Sequence, residues 1–290
     1  MSALARAPAR EGSVGELADF VAHYARLFVL SGAGVSTASG IPGYRDRDGQ
    51  WKRSPPVTLQ EFLGKASARR RYWARSMLGW PIVAGAKPNA AHGALARLED
   101  GGRIGQLVTQ NVDGLHQRAG SSKVLELHGS IGRVTCLECS ASYARSEVQQ
   151  MLLAANARFE RVAATAAPDG DVDLDACDLE SFEVPACIAC AGALKPDVVF
   201  FGGGVPREVA ATAAKAVDDC DSMLIVGSSL MAYSGFRLCE QAGRSGKPIA
   251  AINLGRTRAD PLLAFKLEHP CAEVLPALVD GVTVSSRARG

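Results

Sequence analysis

Cys136-Leu-Glu-Cys139 and Cys187-Ile-Ala-Cys190 are two C-x-x-C pairs, and no other feature limits the folding of this chain so much. Two intervening residues make a turn tight enough to aim both thiolates of a pair at one ion. Four thiolates complete a tetrahedral zinc site with no position left for water. A chain built this way has to bring the pairs together across the 47 residues between them. Such a site holds a lobe together and activates no nucleophile, so one structural zinc on Cys136, Cys139, Cys187 and Cys190 is expected. Disulfides are the competing use of cysteine, and they need an oxidising compartment. The opening MSALARAPAR is followed by no apolar core before Glu11 and Asp19, unlike a secretory signal. The expectation is a cytoplasmic protein in which Cys177, Cys220, Cys239 and Cys271 stay as thiols, Cys220 and Cys239 as small core residues.

The 290 residues are 47% hydrophobic and 21% charged, enough for one large domain or two modest ones. Every apolar run stops short of the roughly 18 to 20 residues that a membrane-spanning helix needs. The 32 Lys and Arg against 30 Asp and Glu leave +2, too little for the single-sign field that grips a nucleic-acid backbone. No membrane and no direct nucleic-acid partner is expected. Strands are predicted at 27–30, 106–109, 198–201, 223–226 and 249–252, alternating with helices at 14–25, 90–99, 205–217 and 234–244. That alternation is the pattern of an α/β fold, a Rossmann-like doubly wound parallel sheet covered on both faces.

Two stretches break the alternation and read as insertions. Residues 45–87 hold Trp73 and Trp80 beside ARRRYWAR, which predicts a basic helix packed through its aromatics. Residues 133–194 begin and end near the cysteine pairs and form the smaller zinc-binding lobe. The sheet domain is left with 1–44, 88–132 and 195–290. Inside the lobe, Asp169, Asp171, Asp173, Asp175 and Glu180 fall at calcium-loop offsets. Leu174 stands where that loop needs Gly, so an acidic solvated loop is expected.

The residues just past each strand mark a ligand edge. Directly after the first come Ser31-Gly32-Ala33-Gly34-Val35-Ser36, small residues whose backbone N–H groups can approach a phosphate. The dinucleotide fingerprint wants Gly or Ala at position 37, where this chain has Thr37. After the second strand stand Gln110, Asn111, Asp113 and His116; after the others stand Gly227-Ser228-Ser229 and Asn253-Leu254-Gly255. A single such turn is an ordinary βα connection. Four at one edge predict an extended ligand lying across the sheet. His128 ends a further short apolar run toward the same edge, well placed for acid–base work.

In this order and spacing, GAGVSTASGIPGYRD at 32–46, TQNVDGLH at 109–116, LHGS at 127–130, the cysteine pairs, KPDVVFFG at 195–202, GSSL at 227–230 and INLG at 252–255 resemble the sirtuin family over about 10–282. YWAR, APDGDV, FEVPAC and YSGFR resemble its class II branch. The resemblance implies an NAD-dependent protein-lysine deacylase, with the acylated lysine of a protein held between the sheet domain and the zinc lobe. It implies that Gly32, Ala33, Gly34 and Ser36 cradle the diphosphate of NAD, that Tyr44 and Arg45 cover the ribose and reactive carbon, and that Gln110, Asn111 and Asp113 handle ribose and nicotinamide. Gly227, Ser228, Ser229, Asn253, Leu254 and Gly255 hold the adenosine half, with Cys271 near the adenine. Val199, Phe200, Phe201 and Gly202 pair with the substrate backbone.

Within that resemblance His128 is the general base, acting with Asn111 and Asp113. Once nicotinamide has left and the acyl oxygen has bonded the sugar carbon, it takes the proton of a ribose hydroxyl that attacks the resulting alkylimidate, and water then releases the free lysine and O-acyl-ADP-ribose. An unperturbed imidazole would lose that capacity below roughly pH 6 to 7. Tyr72 and Arg75 have the Tyr-x-x-Arg spacing that relatives preferring acidic acyl groups use to grip a carboxylate. Gly43 and Gly203 depart from residues common in the family. ADP-ribosyl transfer to protein uses the same cofactor chemistry and is not separated from deacylation by any of these motifs.

Overall fold

A computed structural model of the chain describes residues 9–52, 56–159, 165–167, 171–173 and 179–287, and the side chains of 165–167, 171–173 and 280–287 lie outside that description. Cys177, Asp169, Leu174 and Asp175 lie outside the described residues, and with them the acidic-loop reading. In chain order the strands are β1 (Leu27–Ser31), β2 (Ile104–Thr109), β3 (Val124–Glu126), β4 (Gly129–Cys136), β5 (Ser142–Ala144), β6 (Thr165–Ala167), β7 (Asp171–Asp173), β8 (Leu194–Val198), β9 (Ser222–Val226), β10 (Ile249–Ile252) and β11 (Phe265–Leu267). The helices are α1 (Val14–His23), α2 (Leu59–Gly64), α3 (Ala66–Gly85), α4 (Ala90–Asp100), α5 (Leu115–Arg118), α6 (Arg145–Ala155), α7 (Arg207–Asp219), α8 (Tyr233–Arg244) and α9 (Cys271–Arg287).

Six strands form one parallel sheet in the order β11-β10-β9-β1-β2-β3. Successive residues of a strand point to opposite faces, and both faces here are apolar. Leu27, Val29, Leu224, Val226, Ala250 and Ile252 pack under α1, α4 and α9. Phe28, Leu30, Met223, Ile225, Ile249 and Ala251 pack under α7 and α8. β1 is therefore buried at all five positions, which explains why it reads as an unbroken apolar run without alternation. Among the described residues no helix is long and apolar enough to cross a membrane.

One predicted strand is corrected. The run 198–201 does not join the parallel sheet; its strand is β8, paired antiparallel with β4 in a separate three-stranded sheet ordered β5-β4-β8. The places at the ends of the large sheet go to β3 and β11, three residues each, too short for a hydrophobic period to show.

The 45–87 helix is more deeply set than a basic surface helix. Trp73, Ala74 and Met77 of α3 are buried in one cluster with Phe62 of α2, Val134 and Cys136 of β4, Val148 and Leu152 of α6, and Leu194. Trp73 donates its indole N–H to the Leu194 carbonyl (3.2 Å). Arg145 of α6, 1% exposed, donates to the Ser76 carbonyl and hydroxyl and to Gln149, with its guanidinium over the rings of Trp73 and Trp80. The helical insertion and the zinc-lobe strands thus share a single core. Trp73→Ala is expected to cost about 3–5 kcal/mol in chemical denaturation and to remove amide protection from β4 as well as α3. Loss of protection confined to α3 would show that the two segments fold independently.

Candidate active site

The sheet reverses its winding between β1 and β9, and open parallel sheets bind ligands at the carboxyl ends of their strands at such a point. Here the two connecting loops cross in contact. Gly34 N–H donates to the Gly227 carbonyl (2.7 Å) and Gly32 N–H to that of Val226 (3.0 Å). A Cβ on Gly34 would stand 2.8 Å from the Gly227 carbonyl oxygen, and one on Gly227, whose φ is +61°, would overlap the Val35 nitrogen. Two short 3-10 turns, Ala33–Val35 and Thr37–Ser39, follow β1 in place of a long helix. A third fingerprint glycine serves close helix–strand packing, and without that helix Thr37 is admissible.

Above the crossing opens a cavity of about 1010 Å³ between the sheet edge and the smaller lobe. Most of the expected residues line it: Gly32, Ala33, Gly34, Tyr44, Arg45, Gln110, Asn111 and His128, then Gly227, Ser228, Ser229, Asn253, Leu254 and Cys271, with Val199, Phe200, Phe201, Gly202, Tyr72 and Arg75 on the lobe side. Ser36, Asp113 and Gly255 are not part of the lining. Ser36 donates to the Asp113 carboxylate (2.7 Å) and accepts from Asn111 Nδ2 (3.0 Å), while Asp113 also accepts the Leu115 N–H that begins α5. Asp113 thus caps a helix and orients Asn111 through Ser36. Gly255, in a left-handed turn, gives its N–H to Glu268 (3.0 Å).

His128 is part of this wall. Its Nδ1 lies 2.9 Å from the Gln110 carbonyl, which can only accept, so Nδ1 carries the hydrogen of the neutral ring. Nε2 is then the acceptor, and Ser234 at the start of α8 donates to it at 2.8 Å. Burial pushes the imidazole below its ordinary value near 6.5, opposed by the Gln110 carbonyl, so the ring is neutral at pH 7. His116 lies deeper, its Nε2 2.8 Å from the Ser31 hydroxyl, and its ring meets that of His92 at a tilt of 59°; burial pushes the pair to about 3 and about 4, which makes them neutral core histidines. The Cys271 thiol is pushed up to about 12 by burial and is an unreactive lining group.

Among the lining residues that the sequence did not single out, two shape the site. Trp51 meets Phe201 edge-on (5.2 Å) and Tyr44 (6.1 Å), and the Arg45 guanidinium lies 4.0 Å from its ring centre, forming an aromatic roof. Ser234 is the other; it lies inside YSGFR, but nothing in a string places its hydroxyl on a histidine 106 residues away. The run 199–202 leaves β8: Val199 N–H pairs with the His128 carbonyl (2.8 Å), and the Phe201 carbonyl accepts from Leu59 (2.9 Å). Part of that edge is therefore already used within the chain.

The four cysteine sulfurs lie within 4.8 Å of one another, with Cys136 to Cys190 at 3.5 Å and Cys139 to Cys187 at 3.6 Å. Zn–S bonds of about 2.3 Å in a tetrahedron put sulfurs roughly 3.8 Å apart, so the set fits a zinc ion. Ser140 and Ala191, each following the second cysteine of its pair, share φ of +60°, so both turns have the same form. The Tyr143 hydroxyl lies 3.0 Å from Cys187 Sγ and can donate to its thiolate.

Comparison with known proteins points the same way. The Sir2 family model matches residues 32–234. The NAD-dependent protein deacetylase 2 of Bradyrhizobium diazoefficiens is 57% identical over 263 residues, 91% of this chain and 96% of that protein. The NAD-dependent protein deacetylase of Bordetella bronchiseptica is 54% identical over 270 residues, 93% and 98% of the two chains. A solved Sir2 structure with a p53 peptide and NAD+ matches with TM-score 0.74 at 29% identity, covering 94% of this chain and 100% of that one. A mutant Sir2 homologue in complex with ADP-ribose matches with TM-score 0.74 at 31% identity, over 94% and 97%.

Because a closed four-thiolate site contributes folding energy, stripping the metal is expected to release one zinc per chain and abolish amide protection in β4 and β5 while β1, β9 and β10 stay protected. Metal analysis with hydrogen exchange before and after chelation checks this. Unchanged protection in β4 would remove the metal from the account of the lobe.

Proposed function

We infer that this chain, which belongs to the Sir2 family, is an NAD-dependent protein-lysine deacetylase, acting on acylated lysine side chains of proteins at the cavity above the β1–β9 crossing. NAD, when bound, supplies an electrophilic sugar carbon on loss of nicotinamide and a hydroxyl-bearing ribose to receive the acyl group. The protein's own contribution is placement, exclusion of water and a base. The observation that carries the residue-level reading is His128: a neutral imidazole in the cavity wall, its tautomer set by a main-chain carbonyl, with its only lone pair turned to a side-chain hydroxyl.

The roles follow from position. The Gly32 and Gly34 N–H groups are given to Val226 and Gly227, so what this turn offers a diphosphate is close approach to small residues of a cavity wall that Arg45 also lines. Ser228, Ser229, Asn253 and Leu254 line the far end with Cys271, where an adenosine fits. Gln110 and Asn111 take the ribose and nicotinamide side, Asn111 steadied by Ser36 and Asp113. The Tyr44–Trp51–Phe201 group would exclude water from the sugar carbon of a bound NAD. His128 would hold at Nε2 the proton given up by a substrate hydroxyl. Val199, Phe200, Phe201 and Gly202 receive the peptide from the lobe side.

Tyr72 and Arg75 stand on α3 in the cavity wall, and we assign them to selection of the acyl group. A planar guanidinium suits a carboxylate, so the pocket takes acidic acyl chains as well as acetyl. Arg75→Met is expected to lower turnover of succinyl- or glutaryl-lysine peptides at least tenfold while acetyl-lysine turnover changes less than twofold, read as NAD-dependent nicotinamide release. Equal effects on both would remove Arg75 from that role.

His128→Ala should abolish deacylation and leave NAD affinity within a few-fold. The sign of the pH dependence follows from burial, which favours the neutral ring. The base is competent above its pKa and is lost only as pH falls below it, so the acid limb of kcat should lie below the ordinary imidazole value of about 6.5. A limb above 6.5 would mean that another group is being titrated.

A further inference from the structure

His128 has two ring nitrogens, and the structure accounts for both. Nδ1–H is given to the Gln110 carbonyl, and Ser234 gives its hydroxyl hydrogen to Nε2. The lone pair that a base must use is therefore already covered. A hydroxyl is both donor and acceptor, so the contact is not lost when the ring gains a proton. It reverses, with Nε2–H donating to Ser234 Oγ.

We propose that Ser234 is a positioning residue for the base: its hydroxyl covers the Nε2 lone pair of His128, yields it to the substrate, and stabilises the imidazolium by accepting from Nε2–H afterwards. The inference rests on His128 being the base. The step balances simply. The O–H bond of a substrate hydroxyl breaks, Nε2–H forms, and the electron pair stays on the substrate oxygen; Ser234 neither gains nor loses a proton.

Three observations favour this role over a chance contact. First, among the described residues the hydrogen-bond partners of the ring are neutral dipoles. The charged groups lining the same cavity are Arg45, Asp46, Arg47, Lys52, Arg75 and Arg237, and the titratable ones are Tyr44, Tyr72, Tyr233, His269 and Cys271. None of these, nor Asp113 behind the wall, whose carboxylate is held by Ser36 and Leu115, is hydrogen-bonded to the ring. Among the described residues Ser234 is therefore the side-chain partner of the ring, protonated or not. Second, Ser234 is well anchored: it lies in the first turn of α8, whose neighbours Gly235 and Phe236 are buried, Gly235 so close to Gln110 that a Cβ would stand 2.7 Å from its Oε1. The residue whose carbonyl fixes Nδ1 thus packs against the helix whose hydroxyl faces Nε2. Third, Ser234 lines the cavity, so an arriving substrate hydroxyl can replace it on Nε2 without unpacking the core.

A hydrogen bond from a charged ring is stronger than one to a neutral ring, so the hydroxyl raises the proton affinity of His128 against the pull of burial. In Ser234→Ala the His128 pKa, followed by side-chain 15N NMR on the zinc-loaded protein without NAD, should fall by about one unit, and the Nε2 resonance should lose its hydrogen-bonded shift. The single-turnover rate of acyl-lysine loss should fall roughly tenfold with NAD affinity unchanged, and the acid limb should move to lower pH. Ser234→Thr should restore all four. If Ser234→Ala leaves the His128 titration and Nε2 shift unaltered, or raises the pKa, or keeps the full rate, the proposal is wrong. His128→Ala separates the two readings: if that variant still turns over, the base assignment fails, whereas an inactive His128→Ala beside a fully active Ser234→Ala condemns only the inference.

Discussion

The contact between the loops that follow β1 and β9 organises the rest of the molecule. Two main chains pass so closely that Gly34 N–H bonds the Gly227 carbonyl, and neither position has room for a Cβ. The crossing seals the floor of the cavity at the reversal of the sheet and turns the backbone around Gly32 to Gly34 toward the opening. It also sets the distance between the end of β1 and the start of α8. Because Gln110 gives its amide to the Ser31 carbonyl and to Ser228, the ends of β1, β2 and β9 form one hydrogen-bonded layer.

That layer positions His128. Its imidazole hangs from the Gln110 carbonyl on one side and meets α8 on the other, so its orientation depends on two elements from opposite sides of the crossing. The groups beside the ring are a main-chain carbonyl and a hydroxyl, both neutral, in a buried wall. Such surroundings keep the ring uncharged at neutral pH. The opposite wall is stiffened from elsewhere. α3 shares its core with β4 and α6, and the buried Arg145 ties α3 to α6 through Ser76 and Gln149, so Tyr72 and Arg75 stand on a helix supported by the zinc lobe.

Much of this was legible in the residues. The cysteine pairs announced a closed metal site because thiolate spacing within a pair is a local property. β1, β2, β9 and β10 showed as apolar runs, each followed by small or polar residues, because buried parallel strands need both. The features that escaped were short, or depended on a partner far along the chain. β3 and β11 are three residues each, below any period. The 198–201 run has strand composition, yet its residues leave β8 because the His128 carbonyl and Leu59 claim their backbone groups. Trp51 carried no periodic signal, and it became part of the wall only when Phe201 arrived from about 150 residues along the chain.

The sequence by itself determined the class of fold, the four-thiolate set, the order of the turns at the sheet's carboxyl edge and the family, since each is written in neighbouring residues or in spacing along the chain. Tertiary structure alone decided that the helical insertion and the zinc lobe share a core, that Asp113 acts on Asn111 through Ser36, and which histidine nitrogen carries the hydrogen. The physical reason is that tautomer, proton affinity and orientation depend on atoms within about 3 Å, and around His128 those atoms come from Gln110 and Ser234, brought together only by the closing of the sheet.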